Sequence, residues 1–129
     1  MLKQAYDGFN RAFAGEDFGP IFEQHFDPDF EYTGPPEVPE PGPYRGYEEV
    51  QAFIRFFSEP FDEVRLEIED LRGARGGVIY RQRTEVTGGG SGIDIGDRSW
   101  AVARIRGGRL LSVVEDYSRD GALKRAGLD

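Results

Sequence analysis

The 129-residue chain has the length of one globular domain, and we expect residues 1–129 to form a single domain with its own core. It has no cysteine and only one histidine, His25, which excludes disulfides, thiolate nucleophiles and a multi-histidine metal site. The net charge of -8 argues against nucleic acid as a partner. No apolar run predicts a membrane span or a signal peptide, so we expect a soluble cytoplasmic protein. We also expect no metal and no cofactor.

The charge is divided unevenly along the chain. Residues 1–70 carry 17 acidic and 5 basic groups, whereas residues 71–129 carry 7 acidic and 11 basic ones. The two halves can complement each other within one molecule or across a dimer. Most of the basic residues are arginines, and on a sheet a solvated face is a commoner use of them than a phosphate site.

The N-terminal residues have the pattern of a helical hairpin. Residues 2–14 carry one apolar stripe at helical spacing, formed by Leu2, Tyr6, Phe9 and Phe13. Gly15 ends this helix, and Asp17 is the expected N-cap of a shorter helix with Ile21 and Phe22 on its apolar side. His25 lies just before a helix stop, where we prefer a capping role to a catalytic one because no partner for it is visible.

A short strand at residues 30–32 is followed by the proline-rich segment 34–43. Loops of this length are often functional, and two interpretations stay open: a semi-rigid rim over a cavity, or a passage around a sheet edge. A third helix is predicted over residues 47–58, with Val50, Phe53, Ile54 and Phe57 on a face that we expect in the core.

The periodicity then changes to two, which predicts antiparallel strands. The first carries Val64, Leu66 and Ile68 on its apolar side, and residues 73–77 form a turn. On the next strand we expect the inner face to hold Val78, Tyr80, Gln82, Thr84 and Val86. The glycine-rich segment 88–92 matches neither a phosphate-binding loop nor a nucleophile elbow, so it is predicted to be a turn.

Residues 100–117 form the predicted centre of the sheet, a long hairpin that turns at Gly107-Gly108. On its second strand, alternation places Leu111, Val113, Glu115 and Tyr117 on one face. The other face, with Trp100, Val102, Ser112 and Val114, is expected to be convex and to bind a second copy of the chain. Residues 118–128 are predicted to form a short final helix.

Several phrases now resemble a known family: "FDPDFEY" (26–32), "YRGYEEVQAFI" (44–54), "GSGIDI" (90–95), "RGGRLLSVVEDY" (106–117) and "ALKRAGL" (122–128). In this order they resemble the SnoaL-like polyketide cyclases of the nuclear-transport-factor-2-like (NTF2-like) superfamily. The resemblance covers nearly the whole chain. It implies an α+β cone whose strongly curved mixed or antiparallel sheet has its concave face covered by the N-terminal helical hairpin and the third helix.

The resemblance also implies a cavity for a small hydrophobic molecule and, if the protein is an enzyme, a cofactor-independent cyclase or isomerase. Glu115 is the first candidate for a general base that abstracts a proton next to a carbonyl, because apolar neighbours raise the pKa of a carboxyl group towards neutrality. Equally, Glu115 could pair with an arginine or a tyrosine and only stabilise the site. Asp116 remains the alternative base, although it is expected on the other face.

Two further residues join the candidate catalytic group. Tyr117 lies beside Glu115 on the same face, and Glu37 lies nine residues before Gly46, as the base of the ketosteroid isomerases precedes their corresponding glycine. The strand where those isomerases place an acidic donor has only Trp100, Ala101, Val102 and Ala103, so steroid isomerisation by that mechanism is not expected. The predicted ligand-binding residues are Tyr6, Phe9, Phe13, Tyr32, Phe53, Phe57, Tyr80, Gln82 and Val113.

Fold alone does not choose among the activities of this superfamily. A non-catalytic module that binds a ligand or forms a dimer is the main alternative to an enzyme. An epoxide hydrolase is less favoured, because the alternation places Arg83 and Glu85 on the outer face.

Overall fold

The computed structural model describes residues 1–88 and 95–128, which form four helices and six strands. The helices are α1 (Leu2–Phe13), α2 (Phe18–His25), α3 (Gly46–Ser58) and α4 (Arg119–Arg125). The strands are β1 (Phe26–Thr33), β2 (Tyr44–Arg45), β3 (Glu63–Ala74), β4 (Gly77–Thr87), β5 (Ile95–Arg106) and β6 (Arg109–Asp116).

The strands form one sheet in the order β2-β1-β6-β5-β4-β3. Strands β1 and β6 pair in parallel, whereas the other neighbours are antiparallel. Helices α1 and α3 pack against β3 and β1 respectively, and α2 packs against α1 and β1. The predicted α+β architecture with a mixed sheet and three helices on one side is confirmed.

Local signals in the sequence account for the helix boundaries. The stripe of α1 buries Leu2, Tyr6 and Phe9, and Gly15 follows the helix with a positive φ of 101° that favours glycine. The carboxylate of Asp17 accepts a hydrogen bond from the Gly19 amide at 3.1 Å, so it caps α2 as expected. The helical hairpin is therefore specified by its own residues.

The core is built mainly from aromatic rings under these helices. Phe26 and Phe30 on β1 are buried, with ring centroids 4.9 Å apart in an edge-to-face arrangement. Phe9 of α1 lies 5.0 Å from Phe26, which fixes the helix on the strand. Such ring pairs contribute about 0.5–1.5 kcal/mol each beyond the area that they bury.

Strand β1 begins earlier than the prediction of residues 30–32. It starts at Phe26 and includes Asp27, with a register shift between Phe26 and Glu31 in its pairing with β6. Asp27 is buried because Arg106 donates two hydrogen bonds to its carboxylate, at 2.8 and 3.0 Å. The Arg106 guanidinium also holds the pKa of Asp27 below its usual value.

A β-bulge corrects the predicted alternation on β6. Arg104 pairs with Ser112 and Ile105 pairs with Leu110, so Leu111 is an extra residue without a partner opposite. Leu110 therefore lies in the main core with Val113, whereas Leu111 was predicted there. Beyond the bulge the prediction for Val113 and Glu115 is unaffected, since both are buried on the inner face, which also carries Tyr80 and Gln82.

The outer face of the sheet is partly covered by the chain itself. Val102 is 1% exposed and packs with Ile79 of β4 and Ala122 of α4 in a second, smaller core. The prediction that Val102 meets a second copy is therefore wrong, because α4 covers it. Trp100 lies at the edge of this cluster and is only partly buried.

Candidate functional site

A cavity of about 430 Å³ lies between the inner face of the sheet, α1, α3 and the segment 34–41. Volumes of this size are typical of sites for small molecules. Its wall is mostly aromatic and aliphatic, with a few polar groups on the strands. The lining residues are Tyr6, Phe9, Phe13, Tyr32, Gly34, Pro35, Val38, Pro39, Glu40, Pro41, Tyr44, Val50, Phe53, Phe56, Phe57, Leu66, Gln82, Thr84, Ser99, Val113, Glu115 and Tyr117.

The proline-rich segment forms one side of this cavity. Of the two predicted roles, a rim over a cavity or a passage around a sheet edge, the structure therefore favours the rim. The amide of Gly34 donates to the carbonyl of Pro41 at 2.8 Å and closes the loop at its base. The hydroxyl of Tyr44 donates to the carbonyl of Glu40 at 2.6 Å. These bonds hold the apolar side chains of Val38 and Pro39 against the opening.

Glu115 is the buried carboxylate of the cavity wall, with 4% of its surface exposed. The hydroxyl of Tyr32 donates to its Oε1 at 3.0 Å, and Nε2 of Gln82 donates to its Oε2 at 2.8 Å. Tyr32 lies on β1, beside β6, whereas Gln82 lies on β4 and must reach across β5. The inner-face residues of β5 at that level, Ser99 and Ala101, are small and leave room for this contact.

The contact between Gln82 and Glu115 belongs to a longer chain of hydrogen bonds. The Tyr6 hydroxyl donates its one proton to Oε1 of Gln82 at 2.5 Å, and it lies 2.5 Å from the Tyr80 hydroxyl. Since the Tyr6 proton is already used, Tyr80 must be the donor in that pair. Every donor thus points towards Glu115, a direction that stabilises the ionised carboxylate.

The tyrosines of this chain act as neutral donors. Burial raises the pKa of Tyr6 and of Tyr32 well above the usual value for a phenol, and the nearby charge of Glu115 raises both further. Burial likewise raises the pKa of Tyr80. These hydroxyls therefore keep their protons at any ordinary pH, and none of them can serve as a base.

The structure brings together most of the predicted site residues. Ten of them line the cavity: Tyr6, Phe9, Phe13, Tyr32, Phe53, Phe57, Gln82, Val113, Glu115 and Tyr117. Tyr80 is fully buried and does not line it, because it lies behind Tyr6 as the first donor of the chain. Glu37 is exposed on the rim loop and is not among the lining residues. His25 at the end of α2 also lies outside the lining.

Other lining residues were not assigned to the site from the sequence. Val50, Leu66 and Thr84 were expected inside the fold, but not at a cavity. Ser99 lies on the first half of β5, where no strand was predicted because glycine and charged residues interrupt the pattern. The contributions of Glu40 and Tyr44 follow from the path of the loop, for which the sequence carries no periodic signal.

Other candidates lie away from the cavity or outside the described residues. Arg83 and Glu85 form an ion pair at 2.9 Å outside the cavity lining, as the alternation predicted. The predicted turn at residues 88–92 lies outside the described residues except for Gly88. The described residues contain no cluster of acidic, histidine or cysteine side chains that could hold a metal ion. No helix in this part of the chain is long and apolar enough to cross a membrane.

The end of the hydrogen-bond chain offers a graded test. Tyr80→Phe removes the first donor but leaves Tyr6 bonded to Gln82, so we expect the free energy of unfolding to fall by about 1 kcal/mol. Tyr6→Phe removes the hydroxyl that bonds to both the Gln82 carbonyl and the Tyr80 hydroxyl. We therefore expect the free energy of unfolding to fall by roughly 2–3 kcal/mol. Urea unfolding of both variants checks the order, and equal losses would contradict the inferred donor direction.

The described residues form an α+β fold around an apolar cavity that has a buried carboxylate on its wall. Residues 6–113 match the family model of the SnoaL-like domain. The chain belongs to the SnoaL-like domain family, and the predicted resemblance is confirmed. No curated protein matches the chain.

Solved structures with the NTF2-like fold are similar to the chain over nearly its whole length. An NTF2-like protein of unknown function from Burkholderia pseudomallei is 21% identical, with a TM-score of 0.70 and coverage of 95% of this chain and 92% of that one. TerC, co-crystallised with polyporic acid, is 17% identical, with a TM-score of 0.70 and coverage of 93% and 90%.

A third structure is a protein with a ketosteroid isomerase-like fold from Catenulispora acidiphila, in complex with trimethylamine. It is 17% identical, with a TM-score of 0.68 and coverage of 97% of this chain and 93% of that one. At these identities the likeness shows the fold alone. The predicted NTF2-like fold is thereby confirmed.

Proposed function

We propose that the protein binds a small hydrophobic molecule in this cavity and abstracts a proton next to a carbonyl group of that molecule, without a cofactor. The observation that carries the proposal is the position of Glu115, a buried carboxylate on the wall of an apolar cavity. Its charge is supported by neutral donors, Tyr32 and Gln82. Burial in an apolar wall favours proton uptake by a carboxylate, whereas the two donors keep it ionised before the substrate binds.

The reaction needs a base and a donor for the oxygen that becomes negative. Each oxygen of a carboxylate has two lone pairs, so accepting from Tyr32 and Gln82 is compatible with proton uptake by Glu115. Tyr117, Ser99 and Thr84 are lining residues that carry a hydroxyl group, and we assign donation to the enolate oxygen to Tyr117. The abstracted proton stays on Glu115 and returns to the substrate at another carbon in an isomerisation, or after ring closure in a cyclisation.

Two proteins with the same fold support ligand binding as the coarser function. TerC was crystallised with polyporic acid, and the Catenulispora acidiphila protein with trimethylamine. These two proteins support a small molecule as the ligand of the cavity.

The test follows proton exchange directly, because the natural substrate need not be known. A panel of cyclic ketones such as 2-tetralone is incubated with the protein in heavy water, and loss of the α-proton signal is followed by NMR. We expect the wild-type protein to accelerate exchange and Glu115→Gln not to. No acceleration by the wild type with any ketone that it binds would exclude the catalytic part.

A non-catalytic ligand-binding module is the second candidate, and one observation favours it. Each oxygen of Glu115 accepts a hydrogen bond from another strand, through Tyr32 on β1 and Gln82 on β4. Glu115 could then serve to tie these strands together. In that case wild type and Glu115→Gln bind the same ligands and neither accelerates exchange.

We also propose that the protein forms a homodimer through the outer face around Trp100, Ser112 and Val114. The guanidinium of Arg81 lies 5.1 Å from the Trp100 ring centroid, and Nε of Arg81 is buried without a hydrogen-bond partner among the described residues. A second copy would cover this cluster. Light scattering is expected to give twice the 14.5 kDa chain mass, and Trp100→Glu to give the monomer. A monomeric wild type would exclude the dimer.

A further inference from the structure

The cavity wall combines aromatic rings with negative charge. Nine of the lining residues are aromatic: Tyr6, Phe9, Phe13, Tyr32, Tyr44, Phe53, Phe56, Phe57 and Tyr117. Two other lining residues carry carboxylates, Glu115 on β6 and Glu40 on the rim loop. Among the described lining residues none is lysine, arginine or histidine. The sequence also has no basic residue between positions 89 and 97.

The chain around the opening is acidic as well. Residues 34–63 supply the rim loop and α3, and they contain seven acidic side chains against two basic ones. Most of these charges are exposed, so each acts weakly, but their sum makes the potential around the rim loop and α3 negative. Such a potential attracts cations and repels anions before contact, and its effect decreases as salt is added.

From these two observations we propose that the ligand of this cavity is a hydrophobic cation, namely an aromatic or polycyclic molecule with a protonated amine or quaternary ammonium group. The electron-rich faces of the rings and the two carboxylates attract such a group. A carboxylate or phosphate on the ligand would find no positive side chain on the described wall. The inference deepens the proposed function and rests on it for the location of the ligand, but it does not require Glu115 to be a base.

A positive charge on the ligand also fits the proposed chemistry. Proton abstraction next to a carbonyl leaves a negative enolate, and no basic side chain on the described wall can offset that charge. An ammonium group near the carbonyl would offset it from within the substrate. A hydroxyl such as that of Tyr117 then needs only to donate one hydrogen bond.

Three probes with the same ring system and different charge test the inference by isothermal titration calorimetry. They are (2-naphthylmethyl)trimethylammonium, the neutral 2-naphthalenemethanol and the anionic 2-naphthoate. We expect the cation to bind at least about tenfold more tightly than the alcohol and about a hundredfold more tightly than the acid. The preference should shrink at high salt.

Matched variants assign the preference to the cavity. Glu40→Gln and Glu115→Gln should each reduce the ratio between cation and alcohol by severalfold, whereas Glu48→Gln should not, because Glu48 is exposed on α3 outside the lining. Circular dichroism and thermal unfolding establish that the variants fold, and Glu40→Gln on the exposed rim keeps the test valid should Glu115→Gln not fold.

The outcomes separate this inference from the proposed function. Binding of the acid as tightly as the cation overturns the charge preference and leaves the cavity as a ligand site. Binding of none of the three probes, together with none of the ketones, overturns both. A preference that Glu48→Gln reduces as much as Glu40→Gln overturns the assignment to the cavity, because it then reflects only the net charge.

Discussion

Glu115→Gln is expected to slow the exchange of the α-proton by roughly 10²–10⁴-fold, which is the usual contribution of a positioned general base. The variant keeps the size of the side chain. The carbonyl oxygen of the new glutamine can still accept a hydrogen bond from Nε2 of Gln82. The amide nitrogen of the new glutamine can donate to the Tyr32 oxygen, which reverses the direction of the present bond. Binding of the neutral ketones and the fold should therefore survive while the base is lost.

The measurement is a comparison of kcat and KM for exchange in the wild type, Glu115→Gln and Glu115→Asp. A base that acts only in the transition state changes kcat and leaves KM nearly constant. The aspartate variant keeps the charge but retracts it by one methylene, so an intermediate rate is expected. Exchange at the wild-type rate in Glu115→Gln would mean that another group is the base. The next candidate is Glu40, the other carboxylate on the described wall.

The elements of the fold were largely predictable, because each repeats a local pattern. The stripe of Leu2, Tyr6 and Phe9 and the alternation from Val78 to Val86 require only a period of 3.6 or 2. The position of Glu115 on the inner face followed from the same rule. Most of the cavity residues on α1 and α3 followed next, since an apolar helix face must turn towards the sheet, but Val50 and Phe56 were not assigned to the site.

Alternation failed at Leu111, where the structure inserts a bulge. A period-two pattern contains no signal for an extra residue when its neighbours, Leu110 and Leu111, are both leucine. The choice between them depends on the parallel strand β1, where Phe26 pairs with Leu110. This contact joins residues far apart in the sequence, so local reasoning cannot anticipate it.

The partners of Glu115 were harder to predict than its position. Tyr32 and Gln82 were both expected at the ligand site, but nothing in the sequence indicates that they bond to the carboxylate from opposite sides. That arrangement depends on the strand order, which places β6 next to β1 and only one strand away from β4. The path of the rim loop was undetermined for a related reason, because five prolines restrict the backbone without defining what it contacts.

The hydrogen bond between Gln82 and Glu115 predicts a large loss of stability in the variant Gln82→Glu. The substitution preserves shape but places a second carboxylate where Nε2 of Gln82 now donates to Glu115 at 2.8 Å. Two carboxylates at this separation cannot both be ionised, so the pair is expected to hold one proton with an apparent pKa raised above the unfolded value of about 4.3. At neutral pH we expect a loss of roughly 2–4 kcal/mol in the free energy of unfolding.

The pH dependence has a definite sign. The folded variant retains a proton that the unfolded chain releases, so its stability is closest to that of the wild type below pH of about 4 and falls as the pH rises. The slope is about 1.4 kcal/mol per pH unit until the raised pKa is reached. Urea unfolding at a series of pH values measures this slope. Gln82→Leu is the control, because it removes the hydrogen-bond donor without adding a charge.

The exchange reaction reports the same coupling independently. Because Glu115 shares the proton in Gln82→Glu, the rate of exchange should be lost at low pH and recover at a higher pH than in the wild type. A role of Gln82 in packing alone would change the stability at every pH alike and leave the midpoint of the rate profile unchanged. If the free energies of unfolding of wild type and Gln82→Glu change in parallel with pH, residues 82 and 115 do not interact. The hydrogen bond from Gln82 to Glu115, and the charge of Glu115 inferred from it, would then be wrong.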